Sequence, residues 1–165
     1  MLTPEILGQA EALLELCRKN ALKLATVESC TGGLVSAALT AIPGSSDVFD
    51  RGFATYSNEA KNELVGVPMQ LIIDHGAVSE EVAIAMAQGG LNHSNADIAV
   101  SITGVAGPGG GTETKPVGLV HFAGARRDIG VSPFHTIFPG DRNAIREQSV
   151  RQALTMMNQA ASSDP

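Results

Sequence analysis

The chain has 165 residues, 44% of them apolar and 17% charged, with a formal charge of −6 and a pI near 5.1. That is enough for one domain with its own hydrophobic core, and it is not the composition of a disordered tail. The acidic balance argues against a nucleic-acid or anionic-membrane surface, and no apolar run reaches membrane-spanning length.

Thr3-Pro4-Glu5 reads as a helix start, with a cap, a proline at the first helical position and an acid in the first turn. Ile6, Leu7, Ala10, Leu13, Leu14 and Cys17 follow at helical spacing, which makes Cys17 a core residue. This opening is amphipathic and acidic, unlike a secretory leader, so a cytoplasmic protein is expected. Cys17 and Cys30 alone make neither a disulfide framework nor a zinc site. Residues 22–27 predict a first strand and residues 32–42 a helix stopped by Pro43-Gly44. The stretch ESCTGG, residues 28–33, therefore joins a strand's carboxyl end to a helix's amino end.

A second strand is predicted over residues 49–56. A short helix follows, with Ser57 or Asn58 as its cap and Gly66 as its stop. Ser79 is expected to cap a helix over residues 80–92, and residues 97–103 read as a buried strand. A glycine-rich loop from Gly104 to Pro116 leads into two strands, 117–125 and 131–138, joined by a short turn as a hairpin. Asp141 caps the last helix, and residues 161–165 read as a loose tail. The pattern predicts a single α/β domain around a mixed sheet, with no internal repeat. Ligands of such sheets bind at the carboxyl ends of strands. Three informative stretches fall there: ESCTGG, Tyr56 to Lys61, and the loop from Gly104.

The loop GVAGPGGG fails both nucleotide templates. Thr112 stands where the dinucleotide fingerprint needs glycine, and Gly110 where a Walker loop needs lysine. Val27 precludes a G-x-S-x-G elbow around Ser29. His75, His93, His121 and His135 are scattered, so neither a zinc site nor a Ser-His-Asp triad has local support. Ser29 remains, on a tight turn ahead of Gly32 and Gly33. The free amides at the start of the following helix can hold a phosphate or a developing oxyanion. Ser29 and Thr31 are equally readable as plain helix caps. A nucleophilic serine without histidine needs a neutral lysine as its base, and Lys61 is placed to supply it. Ser57 is a cap first and a rival nucleophile second. Cys30, the stronger nucleophile intrinsically, is a rival to Ser29.

ESCTGG, TYSNEAK, HGAVSEE, GVAGPGGG and KPVG, in this order and over residues 5–160, resemble the CinA C-terminal domain family. Within it, the resemblance is to the stand-alone nicotinamide-nucleotide amidohydrolases, the nicotinamide mononucleotide deamidases. The resemblance implies a three-layer α/β/α sandwich with a mixed, mostly parallel sheet of about five strands. It implies hydrolysis of the carboxamide of nicotinamide mononucleotide to nicotinate mononucleotide and ammonia, without metal or other cofactor. It implies Ser29, Lys61 and Tyr56 as the catalytic set. It also implies a homo-oligomer, with a dimer expected, while the acidic balance and the lack of a membrane-length apolar run predict no nucleic-acid or membrane partner.

On that reading Lys61 takes the Ser29 proton directly or through Tyr56, and the Thr31, Gly32 and Gly33 amides are candidates for the oxyanion hole. Glu28 is expected to orient Lys61 or hold the ribose, and Cys30 to lie against the substrate. The 5′-phosphate is expected along Gly104, Ala106, Gly107, Gly109 and Gly110, or near Arg142 and Arg146. Two rival readings stay open: a catalytically silent nucleotide-binding regulatory module, and an amidohydrolase of another small amide.

Overall fold

A computed structural model describes residues 2–164; Met1 and Pro165 lie outside the described residues. The elements, in chain order, are α1 (Pro4–Lys19), β1 (Leu24–Glu28), α2 (Leu34–Thr40), β2 (Phe49–Ala54), α3 (Asn58–Val65), α4 (Met69–His75), α5 (Glu80–Asn92), β3 (Ile98–Gly104), β4 (Leu119–Arg126), β5 (Gly130–Ile137) and α6 (Arg142–Ser162). The caps expected at Thr3, Ser57, Ser79 and Asp141 all accept a backbone N–H of the first turn. α4 carries no such signal. Its N-cap is Pro68 with no side-chain bond, and seven residues are too few for a helical period to stand out. The tail expected from residue 161 begins later, because Ala161 is buried and α6 runs to Ser162.

The strands form one sheet in the order β2-β1-β3-β4-β5. β1 pairs in parallel with both β2 and β3, while β4 runs antiparallel between β3 and β5. Four strands thus point one way and β4 the other, as the hairpin from residue 119 requires. The central strands are buried on both faces, and alternation sorts their side chains. Leu24, Ile98, Val100, Ile102, Val120 and Phe122 face one way and join α1, α2 and α6 in the larger core. Ala25, Ala99, Ala123 and Ala125 face the other way, under α5. The result is three layers: α1, α2 and α6, then the sheet, then α3, α4 and α5.

The small residues under α5 are a matter of distance. A Cβ on Gly89 would collide with the Val65 carbonyl oxygen, and one on Gly90 would stand 2.6 Å from Val27. α5 therefore presses on both α3 and β1, and this contact fixes where α3 sits. α3 is the helix that carries Lys61.

Candidate active site

β1 ends at Glu28, and the next five residues turn the chain into α2. Gly32 has φ +60° and Gly33 has φ +104°, values that cost little only for glycine. The turn is closed by its own bonds. The Gly32 N–H donates to the Ser29 carbonyl at 2.9 Å. The Glu28 carboxylate accepts from the N–H groups of Gly33, Val35 and Ser36 and from the Ser36 hydroxyl. Glu28 is fully buried, its hydrogen-bond partners all lie in the turn and the start of α2 rather than at Lys61, and it does not line the cleft. It caps α2 from the preceding strand, where a negative charge suits the exposed helix amides. Of the three amides considered for an oxyanion hole, those of Gly32 and Gly33 are therefore engaged. Among the described residues, the Thr31 N–H is the one of the three with no partner.

Lys61 lies across from this turn and is 1% exposed. Its Nζ is 3.2 Å from Ser29 Oγ, 3.0 Å from the Thr55 carbonyl oxygen and 3.5 Å from that of Tyr56. Burial lowers its pKa from the ordinary lysine value, because the charged form loses its water. A neutral amine has two N–H donors and one lone pair. Two carbonyls and one hydroxyl surround Nζ, so in the neutral form the carbonyls can take both hydrogens and leave the lone pair to the Ser29 O–H. That is the disposition a general base needs.

The same burial acts on Cys30 in the opposite functional sense. Its thiol is pushed up to about 11 by desolvation, with Glu28 adding to the rise and Arg146 and Lys61 opposing it. A thiol of that kind is protonated at neutral pH and is a poor nucleophile.

Ser29, Cys30, Tyr56, Lys61, Thr103, Gly104, Ala106 and Arg142 meet around one cleft of about 240 Å³. The three strand-end stretches do converge. The residues expected there take different places. Tyr56 is 62% exposed and its hydroxyl accepts from Arg142 at 3.1 Å, so it stands at the rim with its phenol turned to the arginine. Arg142 also donates to the Gly107 carbonyl at 2.9 Å and so ties the glycine loop to the cleft's edge. Gly109 and Gly110 lie on the exposed part of that loop, outside the cleft lining. Arg146 is drawn the other way, donating to the carbonyls of Cys30 and Thr31.

Beyond Ala106 and Arg142 a second hollow of about 510 Å³ adjoins the cleft, walled by Pro108, Val117, Gly140 and Asn143. The sequence named both stretches as phosphate candidates but not that they meet, since its walls come from the glycine loop and the α6 amino end, far apart in the chain. Nor did it single out Thr103, which lines the cleft while its hydroxyl is held by the Ala77 carbonyl. Among the described residues no three His, Cys, Asp or Glu side chains stand together in a metal-holding group, and no helix is long and apolar enough to cross a membrane.

A three-layer α/β/α domain with a buried Ser-Lys pair at the carboxyl ends of its parallel strands defines the class. The chain matches the CinA C-terminal domain family over residues 8–161, and it belongs to that family. A competence-damage inducible protein of Caldicellulosiruptor bescii is 52% identical over 147 residues, which is 89% of this chain and 36% of that protein. The chain spans about a third of the length of the first such relatives. The nicotinamide-nucleotide amidohydrolase PncC of Escherichia coli K12 is 46% identical over 155 residues, 93% of each chain. The crystal structure of the competence/damage inducible protein CihA from Agrobacterium tumefaciens superposes with a TM-score of 0.95 at 43% identity, covering 97% of this chain and 98% of that one.

Proposed function

We propose that this chain hydrolyses the carboxamide of nicotinamide mononucleotide, giving nicotinate mononucleotide and ammonia, with Ser29 as nucleophile and Lys61 as its base. The observation that carries the chemistry is the 3.2 Å approach of the buried Lys61 amine, whose pKa burial lowers, to Ser29 Oγ. The substrate is suggested by the relative named for nicotinamide nucleotides, which matches nearly end to end.

In this mechanism Ser29 Oγ attacks the amide carbon as Lys61 takes its proton. The carbonyl pair moves onto oxygen and is stabilised by a backbone amide of the turn. The carbon–nitrogen bond then breaks, ammonia leaves with the proton returned by Lys61, and water, activated by the same amine, clears the acyl-serine. No step calls on a metal, because the lysine supplies the base and the backbone the electrophile. Tyr56, with its hydroxyl bound to Arg142, serves as a rim residue rather than a proton relay. The adjoining hollow gives room for more than a pyridine ring, and Arg142, exposed at the junction, is the cation that meets the 5′-phosphate. Those two features favour a nucleotide over a small free amide.

The test is ammonia release from nicotinamide mononucleotide in the presence of a chelator. Ser29→Ala and Lys61→Met should each lose about 10³-fold or more in kcat. Arg142→Ala should raise KM about tenfold with kcat nearly kept, as loss of one charge-assisted bond does. Free nicotinamide should be a far poorer substrate than the nucleotide. A folded wild type that binds the nucleotide and releases no ammonia would turn the assignment to a binding module.

A further inference from the structure

The substrate proposed above carries a positive charge in the ring that bears its carboxamide. With the carboxamide carbon at Ser29, that charged ring lies in the cleft. Among the described residues no Asp or Glu lines the cleft. Glu28, next to Ser29 in the chain, is taken up by the amides and hydroxyl at the start of α2. Asp141 belongs to the adjoining hollow, where it caps α6 through the Ala144 N–H. The Cys30 thiol, pushed up to about 11, supplies no anion either. The charged side chains of the cleft wall, Lys61 and Arg142, are both basic. A cation entering here loses water and meets no counter-charge, which is a cost unless another group offsets it.

Tyr56 is the one aromatic residue on that wall among the described residues, and it is held at both ends. Its carbonyl oxygen stands 3.5 Å from Lys61 Nζ, which is itself 3.2 Å from Ser29 Oγ. Its hydroxyl accepts from Arg142 at 3.1 Å. The phenol therefore runs from the reacting pair to the arginine, the same course the substrate takes from carboxamide to 5′-phosphate. The ring is not used in packing. It is 62% exposed, joins none of the apolar clusters and stacks on no other aromatic ring among the described residues. An open aromatic ring pinned by its polar end is a preorganised platform, and a π-face attracts a cation through its quadrupole.

We infer that the ring of Tyr56 is the binding element for the substrate's pyridinium, its π-face supplying the attraction that a cleft without carboxylates otherwise lacks. This rests on the amidohydrolase reading and deepens it. Tyr56 and Arg142, joined by one hydrogen bond, meet the two opposite charges of one nucleotide, the ring and the phosphate. Substrate and transition state both keep the ring charge, so the contact acts on binding rather than on the barrier.

The experiment measures binding of nicotinamide mononucleotide and of 3-ribosylbenzamide 5′-phosphate, in which carbon replaces the ring nitrogen and the ring is neutral. Titration calorimetry in the Ser29→Ala background keeps turnover out of the comparison. With Tyr56 present, the charged ligand should bind about tenfold more tightly than the neutral one. Tyr56→Phe should keep that ratio within about twofold, because the ring remains, and Tyr56→Leu should cut it to about two or less. A ratio unchanged by Tyr56→Leu, or near one with Tyr56 present, overturns the inference. So does a ratio that falls as far in Tyr56→Phe as in Tyr56→Leu, which assigns the effect to the hydroxyl and Arg142. If Tyr56→Leu binds neither ligand, Tyr56→Trp carries the test: the larger π-face should widen the ratio, and a ratio no wider overturns the inference. With Ser29 restored, Tyr56→Leu should raise KM about tenfold and keep kcat within about threefold. A loss confined to kcat would make Tyr56 a proton relay instead. A wild type that releases no ammonia from the nucleotide would sink the amidohydrolase reading itself, whereas a flat ratio beside an active wild type sinks this inference alone.

Discussion

Two glycine-rich connections leave the carboxyl ends of adjacent parallel strands, and they are built in opposite ways. The turn after β1 is five residues long, and its backbone is engaged from both sides, by Glu28 and by Arg146. The connection from Val105 to Gly118 is held at its base, where Val105 N–H donates to Leu119 and Gly118 N–H to Val105. A small turn closes between Thr112 and Lys115, and Lys115 is tied to the His75 carbonyl at 2.6 Å. Between those ties, Gly109 to Gly111 are exposed. Glycine serves amide direction in the first case and mainly exposed, adaptable chain in the second. The number of glycines does not distinguish a catalytic turn from a loop; the partners of their neighbours' N–H and C=O groups do.

In the proposed mechanism the base facing the rigid turn must be neutral, so the largest test of the contrast is Lys61. Activity should rise with pH through the Lys61 pKa, which burial places below the ordinary 10.5, because the deprotonated amine is the working form. Lys61→Met should abolish that limb along with about 10³-fold of kcat. Stability should respond with the same sign. Between the depressed folded pKa and the unfolded value, the unfolded chain binds the extra proton, so stability increases as pH rises across that window. Denaturant midpoints measured over an alkaline series should climb in the wild type and climb less in Lys61→Met. Equal slopes in the two proteins would mean that Lys61 is not the depressed group.

The next effect separates the two connections directly. Gly33→Ala meets no atom within 4 Å but must hold φ +104°, so the cost is conformational, roughly 1–2 kcal/mol. It should also lower kcat, since Gly33 anchors the turn through Glu28. Gly109→Ala likewise meets nothing within 4 Å, and its φ lies outside the left-handed range. It should change stability by no more than about 0.5 kcal/mol and leave kcat alone. Melting curves and turnover of the two variants suffice. Similar losses in both would erase the distinction drawn between turn and loop.

The layers, the hairpin and four helix caps were legible because each leaves a local mark, namely alternation, a short polar turn, or a serine, threonine or aspartate ahead of a helix. Ser29 and Lys61 were legible as a pair because both fall just past strand ends, and in this sheet those ends lie side by side. What the sequence could not carry is direction. Glu28 stands next to Ser29 in the chain, yet strand alternation sends its carboxylate into α2. Tyr56 precedes Lys61 by five residues, yet its hydroxyl points outward to Arg142. Arg142 and Arg146 are one helical turn apart and look like a solvated pair, but one lies at the cleft rim and the other under the turn. The two arginines and Tyr56 take these places from the docking of α6 against residues 35 to 116 positions earlier, which no local pattern encodes.

The smallest expected effect concerns the residue nearest in sequence to the proposed nucleophile. Cys30 and Lys61 line the same cleft and feel the same desolvation, which favours the neutral form of each. A neutral amine is an activated base, whereas a neutral thiol is a silenced nucleophile. In the proposed mechanism the environment that equips Lys61 thereby takes Cys30 out of competition with Ser29, despite sulfur's greater intrinsic reactivity. Cys30→Ala should therefore keep kcat within about threefold, against about 10³-fold for Ser29→Ala. Its stability loss should be on the order of 1 kcal/mol, from the deleted sulfur in a packed wall. Alkylation of the native protein by iodoacetamide should be slow at neutral pH and speed up toward the thiol pKa of about 11. Loss of turnover in Cys30→Ala with retention in Ser29→Ala would reverse the two roles. It would also mean that the thiolate is available well below that pKa, and rapid alkylation at neutral pH would report the same thing independently.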